Sequence, residues 1–113
     1  MIEITLPSPP TNNTYYRTVN GRTMISEKGR KYASAVAEQV LIQNASKRFE
    51  GRLSVHIDAH VPDKRKRDLD NCFKAILDSL TKAVVWLDDS QIDILSINRC
   101  GIGGFVKVVV LEL

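Results

Sequence analysis

Asp68-Leu69-Asp70-Asn71 stands directly behind the unbroken basic run Lys64-Arg65-Lys66-Arg67. Carboxylates suited to a divalent cation therefore sit beside side chains suited to phosphate. Two acids one residue apart can hold an ion that activates water, and four adjacent cations attract a polyanion and release its counterions. That pairing is what hydrolysis of a nucleic acid backbone requires. The same residues admit a plainer reading, since a charge run is often a solvated loop and an Asp ahead of an apolar helix is often its cap. Lys74 follows Asp70 by one helical turn, where it can meet negative charge developing on a phosphate or merely form an i,i+4 pair with Asp70 or Asp78. Trp86-Leu87-Asp88-Asp89-Ser90-Gln91 adds two more acids in a turn.

The elements that must position these residues are legible in the periodicity. Ile2, Ile4 and Leu6 alternate with polar residues as in a short strand, which Pro7, Pro9 and Pro10 end. Tyr15 to Val19 and Arg22 to Ile25 flank Asn20-Gly21, a strong hairpin signal. The polar hairpin carries Arg17 and Arg22, and is either an exposed flap or an arm that touches a nucleic acid strand. Ser26 suits an N-cap, and Gly29, Tyr32, Val36 and Val40 recur at helical spacing, so a helix is predicted from about Glu27 to about Ser46. Leu53 to Val61 alternates apolar and polar residues as a strand with one buried face, ended by Pro62. His56, Asp58 and His60 share its other face, where residues lining a sheet are a commoner outcome than a metal site.

Leu69, Phe73, Ile76, Leu77, Leu80 and Val84 form one apolar helical stripe, which sets Asp70, Lys74 and Asp78 on a polar face. Asp68 precedes this helix, in backbone free to let its carboxylate converge with that of Asp70. Acids at a helix N-terminus are favoured by the helix dipole, and adjacent cations and a bound metal relieve their mutual repulsion. Ile92 to Ile97 and Phe105 to Leu113 read as strands joined by a tight connection at Gly101 to Gly104. The last is so apolar that burial on both faces is expected, in the centre of a sheet or under a second subunit.

With 113 residues the chain fits one domain, residues 1–113, of α/β (α+β) class with a mixed sheet and two main helices. Apolar residues at 43% and charged residues at 26% suit a folded soluble protein and argue against disorder. The net charge is only +3, so basicity acts through its clustering. Cys72 and Cys100 stand singly, with no CxxC pair and too few partners for zinc, and are expected as reduced structural thiols. No apolar run spans the roughly 20 residues a bilayer requires, and no secretory signal leads the chain. A cytoplasmic protein without membrane contact or organic cofactor is expected.

The chain resembles the RusA-type Holliday junction resolvases. The resemblance runs from Leu6-Pro7-Ser8-Pro9-Pro10-Thr11-Asn12-Asn13 and Tyr15-Tyr16-Arg17, through Gly21-Arg22 and Ser26. It peaks at Pro62-Asp63 and the basic and acidic run that follows, and closes on Asp78-Ser79-Leu80-Thr81-Lys82-Ala83 and Trp86-Leu87-Asp88-Asp89-Ser90-Gln91-Ile92. It implies a Mg²⁺-dependent endodeoxyribonuclease, with Mn²⁺ as a substitute, whose homodimer makes paired nicks in four-way DNA junctions during recombination and repair. Carried over by position, Asp68, Asp70 and Asp89 would be the catalytic metal ligands and Lys74 an essential catalytic cation. Lys64, Arg65, Lys66, Arg67, Arg17, Arg22 and Asn13 would face the DNA. Two other readings share much of this pattern: a general structure-selective metal-dependent nuclease, and a non-catalytic DNA-binding dimer of the same fold.

Many members of the family place Gly near Val84, where this chain reads Ala83-Val84-Val85, and glycine is the usual residue at a left-handed helix end. A helix from Asn71 to Ala83 is roughly 20 Å long, whereas Val84 to Asp88 reach at most about 17 Å. Either the helix is shorter or bent, or Asp89 serves a site near the other subunit.

Overall fold

A computed structural model describes residues 1–64 and 68–113, and at residues 12, 13 and 70–72 the backbone alone. Arg65, Lys66 and Arg67, and the side chains of Asn13 and Asp70, thus lie outside the described residues. In chain order the elements are β1 (Ile2–Pro7), α1 (Asn12–Tyr15), β2 (Tyr16–Val19), β3 (Arg22–Ile25), α2 (Glu27–Ile42), β4 (Leu53–His60), α3 (Asp70–Lys82), a 3₁₀ turn (Asp89–Gln91), β5 (Ile92–Arg99) and β6 (Phe105–Glu112).

Four strands form a mixed sheet in the order β1-β6-β4-β5, while β2 and β3 pair separately. Among the named strands β4 and β5 alone pair in parallel, because α3 supplies the crossover that a parallel pair needs. The hairpin turn at Asn20 and Gly21 has φ of 50° and 76°, the left-handed pair that Asn-Gly accommodates at low cost.

Alternation sets the layers. Leu53, Val55, Ile57 and Ala59 of β4 and Val106, Val108 and Val110 of β6 turn one face of the sheet inward, against Tyr32, Val36 and Val40 of α2 and Ala75, Ile76, Leu77 and Leu80 of α3. Trp86 is fully buried in the same core, and its indole N–H donates to Thr81 Oγ1 at 2.7 Å. The expectation for the last strand holds in part. β6 is internal to the sheet, but only one of its faces is buried, and Leu111 and the following Leu113 are exposed, because both long helices lie on the same side. His56 and His60 occupy the face turned away from the helices. His56 bonds Asp58 at 2.9 Å and also Ser96, while His60 stacks on Phe105 with ring centroids 4.3 Å apart. Both are satisfied sheet-face residues, as expected.

The N-cap expectation at Ser26 is met: its Oγ accepts the Gly29 N–H at 3.0 Å. Gly29 itself is required by close approach, because a Cβ there would stand 2.3 Å from the Tyr15 carbonyl oxygen. The helix ends earlier than Ser46, at Ile42. There Asn44 takes φ 55°, and the Ala45 and Asn44 N–H groups return to the carbonyls of Val40 and Leu41, a Schellman closure. Cys100 is half-buried, its thiol pushed up by burial first and then by the Asp58 carboxylate. A thiol so held is a poor nucleophile, which agrees with a structural role.

Candidate active site

The path from α3 to Asp89 is set at Val84. Lys82 ends the helix, Ala83 caps it, and Val84 takes φ 61°, the left-handed position that glycine ordinarily fills. The Val85 N–H then donates to the Leu80 carbonyl and the Val84 N–H to the Thr81 carbonyl, so the chain reverses within two residues. The segment after α2 clamps this reversal, with Ser46 Oγ donating to the Ala83 carbonyl at 3.2 Å. The Arg48 and Phe49 N–H groups donate to the Val84 and Val85 carbonyls, each at 3.1 Å.

Past Trp86 the chain is fastened by Gln91, whose side chain is almost wholly buried. Its Oε1 accepts the N–H groups of Leu87 and Asp88 at 2.9 and 2.8 Å. Its Nε2 donates to the carbonyls of Phe49 and Gly51 at 2.8 and 2.9 Å. Asp88 completes a capping box with Gln91: its carboxylate accepts the Ser90 N–H at 3.2 Å. The two neighbouring acids are thereby given different tasks. Asp88 holds the turn, and Asp89 is presented toward α3.

The electrostatics mark where Asp89 arrives. Its carboxyl is raised above the usual carboxylate range by burial first, then by the hydrogen bond and charge of Asp88, while the Lys74 ammonium pulls it down. Asp88 is held low, first by the Ser90 N–H and then by its hydrogen bond with Asp89. Asp78 is also raised, by burial first and by the negative charge of Asp89 second. Asp89, Lys74 and Asp78 therefore share one local field within a single chain, Lys74 and Asp78 being one turn apart on α3. The reversal at Val84 turns the chain back toward α3 after a helix that runs to Lys82.

Asp68 is exposed at the entrance to α3. The cap position of the helix falls on Leu69, one residue after it. Asp70 opens the helix, and its carboxylate, the third expected ligand, is outside the described side chains. Among the described residues, no three His, Cys, Asp or Glu side chains stand together closely enough to hold a metal. The described residues unite Asp89 with Lys74 and Asp78 but give no contact between Asp89 and Asp68. Lys64, Arg17 and Arg22 are exposed, the two arginines on the hairpin that leaves Tyr16.

Three contributors to the site escape a reading of charge alone. Tyr16 places its ring under Lys74, with Nζ 5.1 Å from the centroid, an attraction that steadies the cation. Tyr15 is buried with its hydroxyl 3.1 Å from Ser79 Oγ. Its phenol is raised chiefly by burial, with Asp78 adding to the shift, so α1 is docked against the same stretch of α3. Gln91 is the third. Its signal was present as an acid followed three residues later by Gln, the capping-box spacing.

Relatives match nearly the whole chain in sequence. Crossover junction endodeoxyribonuclease RusA of Escherichia coli strain K12 is 42% identical over 114 residues, covering 97% of this chain and 93% of that protein. The protein of that name in Shigella sonnei strain Ss046 is likewise 42% identical with the same coverage, and that of Enterobacteria phage 82 is 40% identical over 112 residues, again covering 97% and 93%. The family model of endodeoxyribonuclease RusA matches residues 7–110. From the proline-rich entry to the last strand, then, the chain belongs to the endodeoxyribonuclease RusA family.

Proposed function

We propose that this protein is a Holliday junction resolvase, a crossover junction endodeoxyribonuclease that nicks opposed strands of a four-way DNA junction as a homodimer in the cytoplasm. The observation that carries the reading is the return of Asp89 to Lys74 within one chain, in a sequence 42% identical to a protein of that name. The donor set fits a hard divalent ion, Mg²⁺ with Mn²⁺ as a substitute. Asp89 is an anion penalised by burial and by Asp88, Asp78 is penalised by Asp89 in turn, and a bound cation removes both penalties.

Asp68, Asp70 and Asp89 are the proposed ligands. A divalent ion so held supplies Lewis-acid stabilisation of the phosphoryl oxygens and a water acidified for attack. The chain supplies the rest. Lys74, steadied over the Tyr16 ring, is placed to bind a non-bridging phosphate oxygen as charge develops there. Asp88 and Gln91 hold the turn that aims Asp89. Lys64, Arg65, Lys66 and Arg67, with Arg17, Arg22 and Asn13 on the preceding segments, attract the DNA backbone and set its orientation without reading its bases. Two such sites related by a two-fold axis suit two opposed strands of a junction.

The test is nicking of a four-way junction, a linear duplex, a flap and a single strand, compared at one salt concentration with Mg²⁺ present. Paired nicks confined largely to the junction are expected, with loss of nicking in Asp70→Asn. Equal cutting of all four substrates contradicts the junction reading. Binding without metal-dependent nicking contradicts the enzymatic one.

A further inference from the structure

Next to Asp68 the surface opens into a groove of about 550 Å³, and we infer that it receives one unstacked nucleobase from the strand being nicked. The inference rests on the proposed function and adds to it the location of a base-binding subsite. The floor is apolar and belongs to the core: Tyr32, Ala59, Ile76 and Val106 line it, and all four are buried. Pro7, Pro9 and Pro10 form a stiff wall on one side, and Ala35 of α2 stands on another. Asp68 and Leu69 lie among the lining residues at the start of α3, so the groove is continuous with the proposed ligand set.

The chemistry of the lining selects the occupant. Unstacked bases are the flat, apolar-faced parts of DNA, and pockets that take them combine apolar walls with a few fixed polar groups. The side chains of Lys28 and Lys31 are exposed residues of the same groove, supplying positive charge for the flanking phosphates. Lys31 meets Glu27 at 3.7 Å with both side chains mostly in solvent, a weak surface pair that a phosphate can displace. Apolar walls with cations at the edge suit a nucleotide rather than a peptide segment or a second copy of the chain.

The experiment places 2-aminopurine, whose fluorescence rises when it leaves the base stack, at each nucleotide flanking the nicked bond of a four-way junction. Binding is followed with Ca²⁺ replacing Mg²⁺ so that the strand stays intact. Wild type is expected to give a rise of several-fold at one position only. Ala35→Trp, which fills the groove, should lose that rise while still retarding the junction in a gel. Lys28→Ala/Lys31→Ala, two surface changes that leave the core untouched, should reduce it and weaken binding. A junction complex with no fluorescence change at any position, or a rise that survives in a folded Ala35→Trp and in the double variant alike, overturns the base-binding groove while leaving the resolvase reading intact. Failure of wild type to bind the junction overturns both.

Discussion

Replacing Gln91 by Leu keeps the side-chain volume and removes four hydrogen bonds at once, two accepted from Leu87 and Asp88 and two donated to Phe49 and Gly51. Each such bond contributes about 0.5 to 1.5 kcal/mol net, and a buried group left unpaired costs more. Leu87, Asp88 and Gly51 are exposed, so water can reach part of what is released, and the loss belongs in the lower half of the summed range, about 2 to 4 kcal/mol. Urea unfolding followed through the one tryptophan, buried Trp86, should show a lower midpoint with an unchanged slope. Because the same turn aims Asp89, metal-dependent junction nicking should fall far more than stability does. A misplacement of about 1 Å at a reacting centre is worth on the order of 100-fold. Gln91→Glu sharpens the argument, since a carboxylate in this position faces two carbonyls. Its folded-state pKa is pushed above the unfolded value, so stability missing at neutral pH is regained as pH falls through that raised pKa and the acid becomes a donor. A Gln91→Leu protein within about 1 kcal/mol of wild type and nicking at nearly the wild-type rate refutes the role given to this side chain.

Asp89→Asn should abolish nicking yet raise the stability of the metal-free protein at neutral pH. Asp89 has a folded pKa raised by burial and by Asp88, so its protonated form favours the folded state. The advantage of the variant should therefore shrink as pH falls through that raised pKa, which paired denaturant titrations at neutral and acid pH measure. Val84→Gly relieves a left-handed position that costs a β-branched residue about 1 to 2 kcal/mol and loses about 0.5 to 1 kcal/mol to glycine's entropy. It should match wild type or exceed it by up to about 1.5 kcal/mol by the same terms, whereas Val85→Ala, one residue on and fully buried, should lose about 2 kcal/mol. Tyr16→Phe removes a buried hydroxyl that has no hydrogen-bond partner among the described residues and keeps the ring beneath Lys74. Thermal melting should show a gain of about 1 kcal/mol, with a loss marking that hydroxyl as bonded.

Most of the scaffold was written in periodicity. Alternation located β1, β4 and β5, Asn20-Gly21 fixed the hairpin turn, and Ser26 marked the start of α2. The end of α2 was less legible because Asn44, not glycine, takes the left-handed position there. The apolar run of β6 was read as a central strand or one covered by a second subunit; the sheet order bears out the first, while residue type cannot tell which side the helices cover. The acids of the site stood out by spacing, while their division of labour did not. Asp88 and Asp89 are chemically identical neighbours, and only the hydrogen bond to Ser90 and the seating of Gln91 make one a cap and the other a presented carboxylate. The return of Asp89 to Lys74 was equally hidden, since a left-handed valine at residue 84 goes against local preference and is held by Ser46, Arg48 and Phe49 from a distant part of the sequence.

Anomalous diffraction from crystals soaked in Mn²⁺ reports directly which carboxylates meet at the ion and from which chain. The account predicts one site per subunit, coordinated by Asp68, Asp70 and Asp89 of the same chain, with Lys74 beside it and no density in Asp89→Asn crystals. An ion bound elsewhere, or an Asp89 that reaches only the partner's ligands, contradicts it.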